Sequence, residues 1–164
     1  MIEDKPFAVP ASGVRAIIDE VESFGRQNLE TGGFLMMGRE ETTASTIAVT
    51  GASGIVRRHN LFQISARALD RLFTYATERD LWIPIQFHSH GISAFLSKAD
   101  ETYGLCVEGF VSTVIPHFFA PPTDMSAWGW WQYTGGHWLD FEAAHQVPGE
   151  IMVIRFDEDG IRGS

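Results

Sequence analysis

Cysteine is nearly absent from this chain. Cys106 stands alone among 164 residues, so an internal disulfide and a zinc site built from thiolates are both excluded. Long apolar runs are missing too, and nothing approaches the roughly 20 residues a membrane span requires. The opening MIEDKPFAVP has neither a basic nor an apolar leader segment and does not read as a signal peptide. A cytoplasmic protein with no membrane association is expected. Positive charge is scarce: 12 Lys and Arg stand against 21 Asp and Glu, a formal net charge of −9. Such a chain repels phosphate backbones, so no nucleic acid partner is expected. The one short basic cluster, Arg57-Arg58-His59, reads as a solvated loop.

Internal repeats, low-complexity stretches and linkers are also lacking. What remains is an ordinary globular balance, 45% hydrophobic and 20% charged. A chain of this length buries roughly 70% of its unfolded surface, enough for one core. A single domain over residues 1–164 is expected.

Val14, Ile17, Ile18, Val21 and Phe24 follow helical spacing, with Ser12 as the expected N-cap. Phe34 to Met37 and Thr46 to Thr50 read as strands. Ala68, Leu69, Leu72, Phe73 and Ala76 predict a helix from about Ser65 to Arg79. Leu81 to Phe87 reads as a buried strand in which Pro84 is awkward. A loop, HSHGISAFLS, follows. Ser97 then opens a short helix, KADETYGLC, with Asp100 three residues on in a capping-box arrangement. Strands are expected at Phe110 to Ile115 and Ile151 to Phe156. A hairpin is expected at Trp128 to Tyr133 and His137 to Phe141, around Gly135-Gly136. The fold class is α/β or α+β, a mixed sheet flanked by helices.

His88-Ser89-His90 carries the chemistry. In an extended segment residues i and i+2 point the same way, so two imidazoles at a strand end can share a metal ion. Asp100, in the first turn of the next helix, is well placed as the third ligand. Two His and one Asp with the fourth position open to water make the catalytic type of zinc site. Glu30, just before Thr31-Gly32-Gly33, is the candidate general base: held beside the metal, it can take a proton and deliver it to a leaving amine.

The ordered set Glu30, His88-Ser89-His90 and Ser97-Lys98-Ala99-Asp100 resembles the JAMM (MPN+) metalloprotease family. That family's pattern is a Glu, then H-x-H, then S-x-x-D. The resemblance takes in most of residues 12 to 141. It implies a cytidine-deaminase-like JAB/MPN fold and Zn2+ held by His88, His90 and Asp100. It also implies Glu30 as general acid/base and Ser97 as a hydrogen-bond donor to the oxyanion. The activity implied is an isopeptidase or protease, deubiquitinase-like, that cuts after the C-terminal tail of a ubiquitin-like protein. Such a tail commonly ends in Gly-Gly and can add to a sheet edge, here at Phe110 to Ile115 or in the residues after Gly51. The compact length resembles the bacterial members associated with ubiquitin-like systems. The alternative is a non-catalytic MPN scaffold or protein-binding module. The oligomeric state is open.

Two positions depart from the family's pattern. Gly91 replaces its proline, and nine residues rather than ten separate His90 from Asp100. A gap-free count puts Glu101 on the metal. Asp100 is preferred because it keeps the three-residue step from Ser97. Cys106 is expected in the core. His59, His117, His137 and His145 are expected at the surface or hydrogen-bonded. Trp128, Trp130, Trp131, Tyr133 and Trp138 read as core and cross-strand pairs, with one face available as a binding patch. The Pro-Cys-x-x-Cys element of zinc deaminases is lacking, which disfavours nucleobase deamination.

Overall fold

The structure, a computed structural model, describes residues 5–103 and 105–164. The first four residues and Gly104, at the far end of the expected KADETYGLC helix, lie outside them.

Strand β1 (Phe7–Pro10) leads into α1 (Ala11–Gly25). Then come β2 (Gly32–Gly38), β3 (Thr46–Thr50), β4 (Ile55–Arg58) and β5 (Leu61–Ile64). Helix α2 (Ala66–Glu78) precedes β6 (Leu81–Ser89) and the short α3 (Lys98–Tyr103). The rest is β7 (Val111–Ile115), β8 (Gly129–Thr134), β9 (His137–Asp140), β10 (Ala144–Val147), β11 (Met152–Asp157) and β12 (Gly160–Gly163). Eight strands form one mixed sheet in the order β12-β11-β3-β2-β6-β7-β8-β9. β1 and β10 pair in parallel beside it, and β4 and β5 make a separate antiparallel ribbon.

The sheet is buried on both faces, which is why β2 reads as an unbroken apolar run. Its alternate residues go to two cores. Leu35 and Met37 join Ile17 and Val21 of α1, together with Ile85, Phe87 and Val111. Phe34 and Met36 join Ala68, Leu72 and Ala76 of α2, together with Phe156. Each large side chain so buried contributes on the order of 2 kcal/mol. Helix α2 starts with a side-chain cap, Ser65 Oγ accepting the Ala68 N–H at 3.1 Å. Helix α1 does not. Pro10 occupies its N-cap position without a side-chain bond, and Ser12 Oγ instead accepts the Ile151 N–H at 2.9 Å.

Pro84 is tolerated for a local reason. Pairing between β2 and β6 jumps from Leu35–Ile85 to Met37–Trp82, a bulge that takes up Ile83 and Pro84. Pairing between β6 and β7 begins only at Ile85. Proline's missing N–H therefore falls outside both regular ladders.

Several expectations are corrected. β6 extends through His88 and Ser89, where a loop was expected. The strand expected to offer an edge, β7, is interior, flanked by β6 and β8. Cys106 is exposed and lies beyond α3. Arg57 and Arg58 sit on β4, not in a loop. Trp128 and Trp130 stack in the core, their rings 6.1 Å apart. Trp131, Tyr133 and Trp138 are half-buried, Tyr133 packing edge-on to Trp138, so no open aromatic face results. His59, His117 and His137 are exposed and His145 is half-buried. No helix among the described residues is long and apolar enough to cross a membrane.

Candidate metal centre

β6 delivers the first imidazole. Ile85 and Phe87 enter the α1-side core, so by strand alternation Gln86 and His88 face the other way. The main chain carries His90 just past the strand end and fixes it on both sides. Its N–H donates to the Ile115 carbonyl at 2.9 Å, and its carbonyl accepts the Phe118 N–H at 3.1 Å. Between the two histidines, Ser89 is buried and locked to Thr31. The Ser89 N–H donates to the Thr31 carbonyl, and Ser89 Oγ accepts the Thr31 N–H, both at 2.9 Å. Glu30, next to Thr31, is thereby brought to the same strand end.

The carboxylate comes from the cap of α3. The Asp100 N–H donates to Ser97 Oγ at 3.0 Å, and the Ser97 N–H donates to Asp100 Oδ2 at 2.9 Å. This reciprocal pair is the capping box expected from the sequence. It turns Asp100 toward the imidazoles, with Oδ2 lying 3.1 Å from His88 Nε2 and 3.2 Å from His90 Nε2. The ligand atoms of His88, His90 and Asp100 all fall within 4.8 Å of one another. Glu101 is exposed and stands outside the group, so of the two acids it is Asp100 that lies with the imidazoles.

The residues fit a metal ion. His88 Nε2 is buried without a well-formed hydrogen bond, a costly state for an imidazole that lacks a further partner. His90 Nδ1 lies 3.1 Å from the Ser93 carbonyl. Donating its proton there leaves the Nε2 lone pair turned toward the shared point, the usual way a backbone carbonyl orients a metal-binding histidine. Two imidazoles and a carboxylate are donors that zinc accepts.

Charge follows from the same geometry. Burial alone would push the Asp100 carboxyl up, but the imidazoles of His88 and His90 and the Ser97 N–H hold it well below the ordinary carboxylate range. Burial pulls His90 down, but its bond to Asp100, the charges of Glu30 and Asp100 and its bond to the Ser93 carbonyl together outweigh that, so His90 is raised overall. Glu30 is 5% exposed. Burial pushes its carboxyl up to about 7, with His90 pulling it down and Asp100 adding a smaller push upward.

His88, His90, Ser97, Asp100 and Glu30 line one cavity of about 560 Å³. Its further walls were not legible as such in the sequence. Leu61, Phe62 and Gln63 of β5 form one side, and Phe95 and Phe119 form part of the rim. Phe95 packs edge-on to His90 with centroids 4.8 Å apart. The signal for the ribbon was present: IVRR and LFQI flank a two-residue His59-Asn60 turn.

No sequence family profile matches the chain, and no curated protein does. Among solved structures, a protein of Desulfitobacterium hafniense determined in solution aligns with a TM-score of 0.63 at 14% identity, over 88% of this chain and 94% of its own. That likeness is one of fold. A JAB1/MPN domain protein from Archaeoglobus fulgidus aligns with a TM-score of 0.49 at 11% identity, covering 85% and 97% of the two chains.

Proposed function

We propose that the chain is a JAMM-type zinc metalloprotease, an isopeptidase that cleaves after the C-terminal tail of a ubiquitin-like protein. The observation carrying this reading is the convergence of His88, His90 and Asp100 in a cavity that also holds the buried, high-pKa carboxyl of Glu30. A structural metal site would need no such acid beside it.

A zinc ion held by the three ligands would acidify a water molecule and polarise the scissile carbonyl. Glu30 would hold a proton released by the attacking water and deliver it to the leaving amine. A carboxyl near neutrality suits both transfers, since the best general acid/base titrates close to the working pH. Ser97 Oγ is occupied as an acceptor from the Asp100 N–H, and its own proton stays available to donate to the oxyanion. Phe95 and Phe119 at the rim keep bulk water from the reacting bond.

The tail lies along the ribbon. β5 pairs with β4 only, so its second edge is open among the described residues, and it borders the cavity. An extended Gly-Gly tail adds there through main-chain hydrogen bonds. Of the two edges expected from the sequence, β7 is interior, and the reading takes the one in the residues after Gly51.

A panel of ubiquitin-like proteins fused through their tails to a reporter tests the reading. Cleavage after the tail is expected, abolished by chelator and restored by zinc. A folded fusion should be cut far faster than the tail peptide alone. A chain carrying one zinc that cuts no member of the panel would refute the assignment.

A further inference from the structure

The Arg57-Arg58-His59 triplet does not behave as a solvated loop. The two arginines of β4 part: Arg58 is exposed and Arg57 is half-buried beneath the ribbon. Arg57 Nε donates to Thr31 Oγ1 at 3.0 Å, Nη1 to the Gly51 carbonyl at 2.6 Å, and Nη2 to both the carbonyl and Oγ1 of Thr50 at 2.8 Å. Its guanidinium carbon stands 4.0 Å from the centre of the Phe24 ring of α1. One side chain thus ties the ribbon to α1, to the end of β3 and to the residue that follows Glu30.

The charge is provided for. Arg155 donates to the same Thr50 carbonyl at 2.7 Å and makes a two-bond pair with Glu20 at 2.9 Å. Burial lowers Arg57 to about 10, with Glu20 holding it up and Arg155 pulling it down, so the guanidinium stays charged at neutral pH. From the other side, the Glu30 N–H donates to the Arg58 carbonyl at 2.8 Å. Glu30 is therefore gripped twice through neighbours: its own amide by the backbone of Arg58, and the hydroxyl of the next residue by Arg57.

We propose that Arg57 is a positioning residue for Glu30: by locking β4 to β3 and to Thr31, it sets the backbone of Glu30 and so the aim of its carboxyl into the cavity. The catalytic duty given to Glu30 rests on the metalloprotease reading above. Arg57 does not line the cavity, so it acts on the reaction only through Glu30. Its loss should lower kcat with little change in KM. A merely structural anchor would loosen the whole sheet with no preference for Glu30. Local opening is the expected outcome, because the ribbon is exposed or half-buried along its length and has no other strand beside it.

The test uses the zinc-loaded full chain with Arg57→Met, Arg57→Lys and Thr31→Val. Amide hydrogen exchange is read at Glu30, with Ile85 and Val114 in the central strands as internal controls. In Arg57→Met the Glu30 amide should exchange about tenfold faster or more while the controls are unchanged. Zinc should stay near one per chain, and kcat should fall about tenfold with KM within about threefold. Arg57→Lys should be intermediate, because an ammonium cannot reproduce the planar fork. Thr31→Val removes the Arg57 Nε bond and the longer contact with Thr50 Oγ1 at 3.5 Å but keeps the shape, so it gives the same pattern in weaker form and serves if Arg57→Met does not fold. Wild-type protection at Glu30 in Arg57→Met or Thr31→Val, full kcat in Arg57→Met, or a uniform loss of protection at all three amides would overturn the proposal. A wild-type chain that cuts no fusion but shows the expected exchange pattern supports the positioning of Glu30 and refutes only the protease reading.

Discussion

Replacing Glu30 by glutamine should make the metal-free protein more stable and, on the proposed metalloprotease reading, nearly abolish its cleavage activity. The carboxyl titrates near 4.5 when exposed and near 7 in the fold, chiefly because it is buried. The sign is fixed by that order. Below about pH 4.5 both states are protonated and the carboxyl costs nothing. Between the two values the unfolded chain ionises while the folded one cannot, so stability falls as pH rises. Above 7 the penalty is constant. At 1.36 kcal/mol per pKa unit, the gap amounts to about 3 kcal/mol at neutral pH. Glutamine keeps the shape without the charge. In chelator, Glu30→Gln should raise Tm by about 6–12 °C at pH 7.5 and by almost nothing at pH 4. Zinc binding should persist, and turnover should fall by roughly 10²-fold or more. Thermal unfolding at the two pH values, metal analysis and a cleavage assay on one preparation read all of this. A Glu30→Gln protein that is less stable than wild type at pH 7.5 would mean that burial is not what raises this carboxyl, and the assignment of a poised base would go with it.

Asp100→Ala should abolish zinc binding and activity together while Glu101→Ala leaves both in place; the reverse result in metal analysis would put the wrong acid in the site. Because zinc must displace the proton that Asp100 helps His90 retain, apparent zinc affinity should fall by up to about tenfold per pH unit below the His90 pKa, and a competitive chelator titration from pH 7.5 to 5.5 that shows no slope would contradict this. Asp157 is held well below the ordinary carboxylate range by its bond from Arg162 at 2.9 Å, against the push of burial and aided by the Ala52 and Asp159 amides. Its contribution is present above about pH 4 and lost on acidification through its folded pKa, so Asp157→Asn should lower stability at pH 7 and flatten the acid limb of an unfolding curve. Gly33→Ala should cost about 3 kcal/mol or more, since a Cβ there meets the Ala48 carbonyl and lies 2.9 Å from the Phe87 ring; an unchanged denaturation midpoint would show that β2 can move aside.

That His88, His90 and Asp100 would come together was legible because each depends on local rules. Strand alternation puts His88 and His90 on one side, and the Ser97–Asp100 cap is a matter of three residues. Glu30 was found by its order in the chain and its glycines, but its burial was not, because the burial comes from the ribbon and from the strand ends packed around it. The ribbon itself was missed: Arg57 and Arg58 look like surface charge until Thr31, Thr50 and Gly51 are brought under them from other strands. β1 and β10 escaped for a similar reason. Each is four residues long, and each makes sense only beside the other, across most of the chain. Cys106 was expected in the core as a member of the helix after Ser97. The described helix covers Lys98–Tyr103, and the thiol is exposed.

The order of strands also sets an order of manufacture. The His88, His90 and Asp100 group and Glu30 sit on or beside β2, β6 and β7, and all of these leave the ribosome before residue 116. Both flanks of that centre come later. β8 and β9 cover one side, and β11 inserts parallel to β3 on the other, with β12 closing the margin. Until Met152–Asp157 has emerged, β3 presents an unpaired, apolar strand edge, the kind of surface that recruits chaperones or sticks to a second nascent chain. A nascent chain stalled before that strand would hold His88, His90 and Asp100 and yet lack the neighbour that keeps its sheet soluble. Early termination in this protein is therefore more prone to produce aggregates than a partially assembled but soluble site.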